Sequence, residues 1–261
     1  MYKNSCACLS IAFFWQVRAS QEFFIITIKI FFPNMKLDVL YEDNHVIAVY
    51  KPAGMLVQGN HSGDPTLMDE VKYFLKQKYN KPGQVFLGMV HRLDRPVCGI
   101  VLFAKTSKGA SRISAQLRNH TIQKEYHALV EGSVLQSSST LINYIQKNIE
   151  KNRVSIYNTS VPGSLYAELS YDVVERYPNT TLVKIQLKTG RPHQIRAQFS
   201  HIGHPIVGDV KYGAKQKQEI TSYGNVHTTL CLCATSLRFK LATKDEWVSC
   251  RTEIPMEWKY I

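Results

Sequence analysis

Residues 89–105 read MVHRLDRPVCGIVLFAK, and the rest of the chain is organised around them. Asp94 stands between Arg92 and Arg95, and Pro96 and Gly99 turn the chain just after it. Ile100, Val101, Leu102 and Phe103 then make an unbroken apolar run of the length of a short buried strand. A turn that feeds a buried strand is a good place to hold one carboxylate rigidly. The same residues would also serve as a surface turn with Asp94 paired to a neighbouring arginine. The stretch alone leaves both readings open.

Upstream, Leu37 to Tyr41 and Val46 to Tyr50 read as two strands joined at Glu42-Asp43-Asn44, with Lys51-Pro52-Ala53-Gly54 stopping the second. Thr66-Leu67-Met68-Asp69 resembles a capping box, and Leu67, Val71, Phe74 and Leu75 make one helical face. Downstream, a second helix is expected from Ser107 to about His120, with Ala110, Ile113 and Leu117 inward. Lys124 to Val130 reads as a strand with Tyr126, Ala128 and Val130 on one face. Ser137 to Thr140 read as a polar loop, followed by a basic stretch through Lys147, Lys151 and Arg153. Leu165–Val174 and Thr181–Leu187 read as an antiparallel pair turned at Tyr177-Pro178-Asn179, the latter alternating Val183, Ile185 and Leu187 with Lys184, Gln186 and Lys188. Strands in neighbouring pairs with few helices predict an α+β chain: a single catalytic domain on a mixed, largely antiparallel β-sheet flanked by helices and loops.

The 261 residues carry 32 Lys and Arg against 20 Asp and Glu, a formal charge of +12. That balance favours a polyanionic partner, nucleic acid first and an acidic membrane surface second. Six scattered cysteines fit a reducing cytoplasm and no disulfide scaffold. Cys6-x-Cys8 and Cys231-x-Cys233 lack zinc-ligand spacing, and the latter two are expected on one face of a strand. Residues 1–34 differ from the rest: two apolar runs of about ten residues, each short of the roughly 20 needed to span a bilayer. Met35 is read as the true start, with 1–34 either upstream sequence or a dispensable extension and 35–261 the catalytic domain. Without the extension 29 basic residues face 19 acidic ones, or +10.

A second informative stretch, residues 187–213, reads LKTGRPHQIRAQFSHIGHPIVGDVKYG. Thr189 and Gly190 end a strand, and Pro192 suits a first helical turn. Ile195, Phe199 and Ile202 form a buried stripe, so the helix is expected to present some of Arg191, His193, Gln194 and Arg196 away from the core. His201-Ile202-Gly203-His204 spells the HIGH signature of class I aminoacyl-tRNA synthetases, but neither the early nucleotide-binding helix nor a lysine-rich partner loop accompanies it. His193, His201 and His204 have no acidic or cysteine partner at helical spacing, so no metal site is expected.

Taken together, the two stretches resemble the RluA-type pseudouridine synthases. His91-Arg92-Leu93-Asp94-Arg95 matches that family's HRLDRxTSG turn. Thr189–Arg196 and Gly203–Gly213 match its TGRxHQIR and GxPIxGDxxYG segments, and Lys124 with Tyr126 and Lys51-Pro52 match two shorter ones. Val97-Cys98 stands where that family usually has Thr-Ser, or sometimes Thr-Cys, so a hydroxyl that could steady the turn is missing. No auxiliary RNA-binding domain of the S4 type is expected before Leu37. The resemblance implies the pseudouridine synthase fold and cofactor-free isomerisation of a specific uridine in ribosomal or transfer RNA. It implies Asp94, Tyr126 and Arg196 as catalytic: the acid at the ribose, the ring against the base, and the acid's cationic partner. It further implies Arg92, Leu187, Arg191, His193 and Gln194 as substrate-binding, with Arg92 filling the place of a flipped-out base. The expected partner is RNA; no metal or membrane is expected, and the working form is expected to be a cytoplasmic monomer. The rival reading is a catalytically silent RNA-binding protein that retains the fold. A metal-dependent nuclease would need clustered carboxylates, and Asp94 has no acidic neighbour in the chain.

Overall fold

Two runs, Val46–Val49 and Ile100–Ala104, have every residue at most 1 % exposed. They are continuous rather than alternating because both faces of their strands are covered. The computed structural model describes residues 37–59, 63–148, 150, 152–215, 217–222 and 225–260. Residues 35–261 form one unit, and the expectations for residues 1–34 lie outside the described residues.

In chain order the elements are β1 (Val39–Glu42), β2 (Val46–Lys51), α1 (Leu67–Lys78), β3 (Gly88–Met89), β4 (Cys98–Ala104), α2 (Ser107–Arg118), β5 (Gln123–Glu131), β6 (Ser138–Asn148), β7 (Arg153–Tyr157), β8 (Leu165–Arg176), β9 (Thr180–Leu187), α3 (Gln194–His201), β10 (Gln218–Ser222), β11 (Asn225–Thr229), β12 (Leu232–Lys240) and β13 (Trp247–Arg251), with single 3-10 turns at Val210–Tyr212 and Met256–Tyr260. One mixed sheet runs β1-β2-β4-β12-β5-β9-β8-β6-β7, with β13 beside β12 and β3 beside β4; β10 and β11 pair separately. Its pairs are antiparallel except for a short parallel step where Cys98 and Gly99 lie beside Cys233 and Ala234. That step sets the Asp94 turn against the start of β12, in the middle of the sheet. Gly99 makes it possible: at φ +116° a Cβ there would sit 2.4 Å from backbone atoms of Ala234.

The helices follow their local signals. Thr66 caps α1, and Thr66 and Asp69 form a reciprocal capping box. Thr106 caps α2 by accepting the Gly109 amide. Leu67, Val71 and Leu75 of α1 and Ile195 and Phe199 of α3 pack into the main core cluster, while Ile113 of α2 packs with Ile100, Leu102, Leu237 and Phe239 in a second.

Two expectations are corrected. Ser138, Ser139 and Thr140 are not loop but the start of β6, paired to β8. The strand was hidden because its hydropathy is inverted: Asn143 is buried and Ile142 is 52 % exposed. Asn143 is satisfied inside by the Gln198 amide at 2.8 Å. Pro192 does not open α3, whose N-cap is His193 in the left-handed region at φ 51°. Of the four polar residues around the start of α3, Arg191 and His193 are partly exposed, while Gln194 and Arg196 are buried, because protein partners meet their polar groups.

Candidate active site

The turn that carries Asp94 is tied down by backbone and by two flanking side chains. The Val97 amide donates to the Asp94 carbonyl at 3.1 Å, and the Gly54 amide donates to the Arg95 carbonyl at 2.9 Å. Lys51, fully buried, donates to that same carbonyl at 3.1 Å and to Pro52 and Met55 carbonyls at 2.9 Å each. Burial brings the Lys51 ammonium down to about 7. On the other flank, His91 Nε2 accepts the Leu102 amide at 3.0 Å, which places the ring's hydrogen on Nδ1. Burial, with Lys124 adding to it, lowers His91 to about 4, so the ring is neutral. Arg95 turns back to the Gly54 carbonyl at 2.9 Å and to Asp64 at 2.5 Å. His91 and Arg95 therefore serve the turn, and Arg92 and Asp94 are left facing outward.

Val97 and Cys98, which replace the family's usual hydroxyl pair, are both buried in the core. The Cys98 thiol is directed at the Leu232 carbonyl, 3.6 Å away. The backbone bonds and Lys51 hold the turn, with the Thr229 hydroxyl donating to the Pro96 carbonyl at 3.3 Å, so it is braced without a hydroxyl at 97 or 98.

Asp94 Oδ2 accepts from Arg196 Nη1 at 3.0 Å, and His193 Nε2 stands 3.5 Å from the same oxygen. Oδ1 has no partner among the described residues. Arg196 is held chiefly elsewhere: Nε and Nη2 donate to Asp209 at 2.6 and 2.8 Å, a bidentate pair with Asp209 almost wholly buried. The guanidinium also lies over the Tyr212 ring, 5.1 Å from its centre. Burial works against the Arg196 charge, but the hydrogen bond and charge of Asp209, with Asp94, outweigh it and leave the pKa raised.

Gln194 lines the cleft, yet protein fills its amide. Its oxygen accepts from the Thr189 hydroxyl at 2.8 Å and the Arg191 amide at 3.0 Å, and its nitrogen donates to the Glu168 carbonyl and to Gln198, both at 3.1 Å. With all four positions used, Gln194 acts as the clamp that shapes residues 189–194. Arg191 donates to the Tyr166 carbonyl at 2.8 Å. Arg92 is exposed, and its guanidinium has no partner among the described residues.

Across from Asp94, Tyr126 of β5 is 8 % exposed, and its hydroxyl has no hydrogen-bond partner among the described residues. Burial, then the charge of Asp94, push its phenol upward, so the ring stays protonated. Leu187 is half-buried; its register partner is Lys124, two residues before Tyr126, so both project to one side of the sheet. All eight residues singled out in the sequence line a single cleft of about 80 Å³. A larger groove of about 750 Å³ shares Leu187 with it but holds neither Asp94 nor Arg196. The two residues that complete the site, Asp209 and Tyr212, lie in the GDxxYG tail of residues 203–213. Their motif was visible, but their partners were not.

The histidines of the HIGH-like run take local roles: His201 contacts Asn158 at 3.1 Å, and His204 donates to the Glu131 carbonyl at 2.9 Å. Among the described residues, no three His, Cys, Asp or Glu side chains are placed to hold a metal ion, and no helix is long and apolar enough to cross a membrane.

Residues 45–201 match the model of the RNA pseudouridylate synthase family. Ribosomal large subunit pseudouridine synthase C of Buchnera aphidicola is 34 % identical over 210 residues, covering 79 % of this chain and 63 % of the relative. Ribosomal large subunit pseudouridine synthase D of Pseudomonas aeruginosa is 34 % identical over 185 residues, covering 70 % and 55 %. The chain thus spans about three fifths of the length of these relatives. Human RNA pseudouridylate synthase domain containing 4 superposes with a TM-score of 0.68 at 20 % identity, over 85 % of this chain and 90 % of that one, and shares the fold. The family match takes in the Asp94 turn, β5, β9 and all of α3, and so nearly everything that shapes the cleft. The chain belongs to the RNA pseudouridylate synthase family, of the RluA type.

Proposed function

We propose that the chain isomerises a specific uridine in ribosomal RNA to pseudouridine, with residues 35–261 as the catalytic domain and 1–34 as an extension. The observation that carries this reading is the cleft itself: one carboxylate with one oxygen tethered and the other open, facing a buried tyrosine. In the reaction the N1–C1′ bond breaks, the uracil turns and C5 bonds to C1′. C5 then loses a proton and N1 gains one. Asp94 meets the ribose through Oδ1, either at C1′ or at the 2′ hydrogen, while Arg196 holds Oδ2. Tyr126 stacks against the base, and because its phenol stays protonated it assists at C5 only as a relay, accepting the proton on oxygen as it releases its own hydrogen to solvent. Arg92 enters the space a flipped nucleotide leaves. Ribosomal RNA is favoured over transfer RNA by the names of the relatives, and the site of action in this reading is the cytoplasm.

The rival, a silent RNA-binding protein, drew on the altered Val97-Cys98. Both residues lie in the core, with the turn braced by other groups, which removes its motive. The deciding measurement is pseudouridine formed on bulk RNA from cells lacking this protein, with a chelator present. Wild type is expected to make product and Asp94→Asn none. Product from Asp94→Asn would end the assignment.

A further inference from the structure

The two ring nitrogens of His193 meet two different groups, Asp94 and the Tyr212 hydroxyl. Its Nε2 faces Asp94, and its Nδ1 lies 2.8 Å from the Tyr212 hydroxyl. That hydroxyl also receives the Val154 amide of β7 at 3.0 Å. An amide N–H can only donate, so the Tyr212 oxygen is its acceptor and the hydroxyl hydrogen is free for one further bond. The Tyr212 ring is edge-on to His193, with centres 5.7 Å apart, and Arg196 and Arg153 both lie over it, each 5.1 Å from the centre. Tyr212 is 3 % exposed, and its carbonyl is held by the Ser200 hydroxyl at 2.5 Å. It cannot swing away.

Resting on the synthase reading above, we propose that Tyr212 is a positioning residue of the reaction. Its hydroxyl donates to His193 Nδ1, so the ring carries its hydrogen on Nε2 and offers it to Asp94 Oδ2. Arg196 and His193 then hold the same carboxylate oxygen, and Oδ1 is the one presented to the ribose. The arrangement needs an uncharged ring. The charged groups around it are Asp94 on the turn, Arg196 on α3, Asp209 before the 3-10 turn and Lys211 within it, and Arg153 on β7. Burial, which lowers the His193 pKa, outweighs the raising effect of Asp94.

The test is a double-mutant cycle on bulk RNA. Tyr212→Phe removes only the oxygen and is expected to lower kcat about tenfold, with KM within about twofold. In His193→Gln the side-chain amide can donate toward Asp94 without choosing a tautomer. Adding Tyr212→Phe to that variant is expected to change kcat less than about twofold. A tyrosine with a merely structural role would lower kcat by the same factor in both backgrounds, and that result overturns the proposal. Nitrogen-15 NMR of the wild-type histidine rings reads the tautomer without requiring activity or variants. Hydrogen on Nε2 of His193 is expected, and hydrogen on Nδ1 alone overturns the proposal even if the enzyme is active. Wild-type protein that makes no pseudouridine while showing the Nε2 tautomer would instead count against the synthase reading.

Discussion

At the scale of single residues, the ion pair that looked like the heart of the site proves to be the lesser of two. Arg196 gives one hydrogen bond to Asp94, which is partly open to solvent, and two to Asp209, which is not. Breaking the two contacts should therefore have unequal consequences for stability. Asp94→Asn leaves Arg196 its buried partner and is expected to change stability by no more than about 1 kcal/mol. Asp209→Asn strands a buried guanidinium and is expected to destabilise by about 3 kcal/mol, with reduced turnover because Arg196 no longer aims at Asp94. Urea unfolding of the two variants beside wild type checks the order, and a larger loss for Asp94→Asn would reverse this account. Asp94, Tyr126 and Arg196 were legible because each sits in a motif with a chemical reason for its residue type. Gln194 read as a substrate contact because its four internal partners come from β8, its own loop and the next turn of α3. No local pattern announces them.

At the scale of elements, two junctions carry the strain and the charge. At the first, β4 meets β12 through Gly99. Gly99→Ala would put a methyl group into the Ala234 backbone at a positive φ. A loss of about 3 kcal/mol is expected, together with weakened activity, because the displaced strand begins four residues after Asp94. A thermal melt of Gly99→Ala within a degree or two of wild type would show that the strands can separate there. At the second, Glu42 at the end of β1 joins α1 and the start of α2. It accepts from Lys105 at 2.5 Å, Lys78 at 2.6 Å and the Tyr79 hydroxyl at 2.7 Å. Burial raises the Glu42 carboxyl, but these hydrogen bonds outweigh it and bring the pKa from 4.5 to about 2. A depressed carboxyl favours the folded state above the unfolded pKa, and that contribution fades as pH falls from about 4.5 toward 2. The melting temperature of wild type should fall across this window more steeply than that of Glu42→Gln; parallel curves would count against the network. The helices and most strands could be read because caps, turns and alternation act within a few residues. β6 could not, because its buried Asn143 needs Gln198 of α3 to make it tolerable.

At the scale of the whole molecule, net charge dominates. With +12 on the chain and +10 on residues 35–261, RNA affinity should drop steeply with salt. The expected log–log slope is about −0.7 for each single-strand phosphate contacted. Filter binding of bulk RNA between about 50 and 200 mM salt measures it, and a flat response would remove electrostatics from first contact. Charge, composition, the α+β class and the motif-bearing turn were determined by the amino-acid sequence itself, because each depends on residue type or on neighbours a few positions away. The tertiary structure alone decided what those pieces touch. Cys98 meets Leu232 across 134 positions, and Asp94 meets Arg196 across 102. Pairings at that distance are selected by the packing of the core clusters and by which polar groups find partners once water is excluded. The choice of Asp209 over Asp94 as the main anchor of Arg196 is a choice of depth: the deeper carboxylate is the one that loses most if left unpaired.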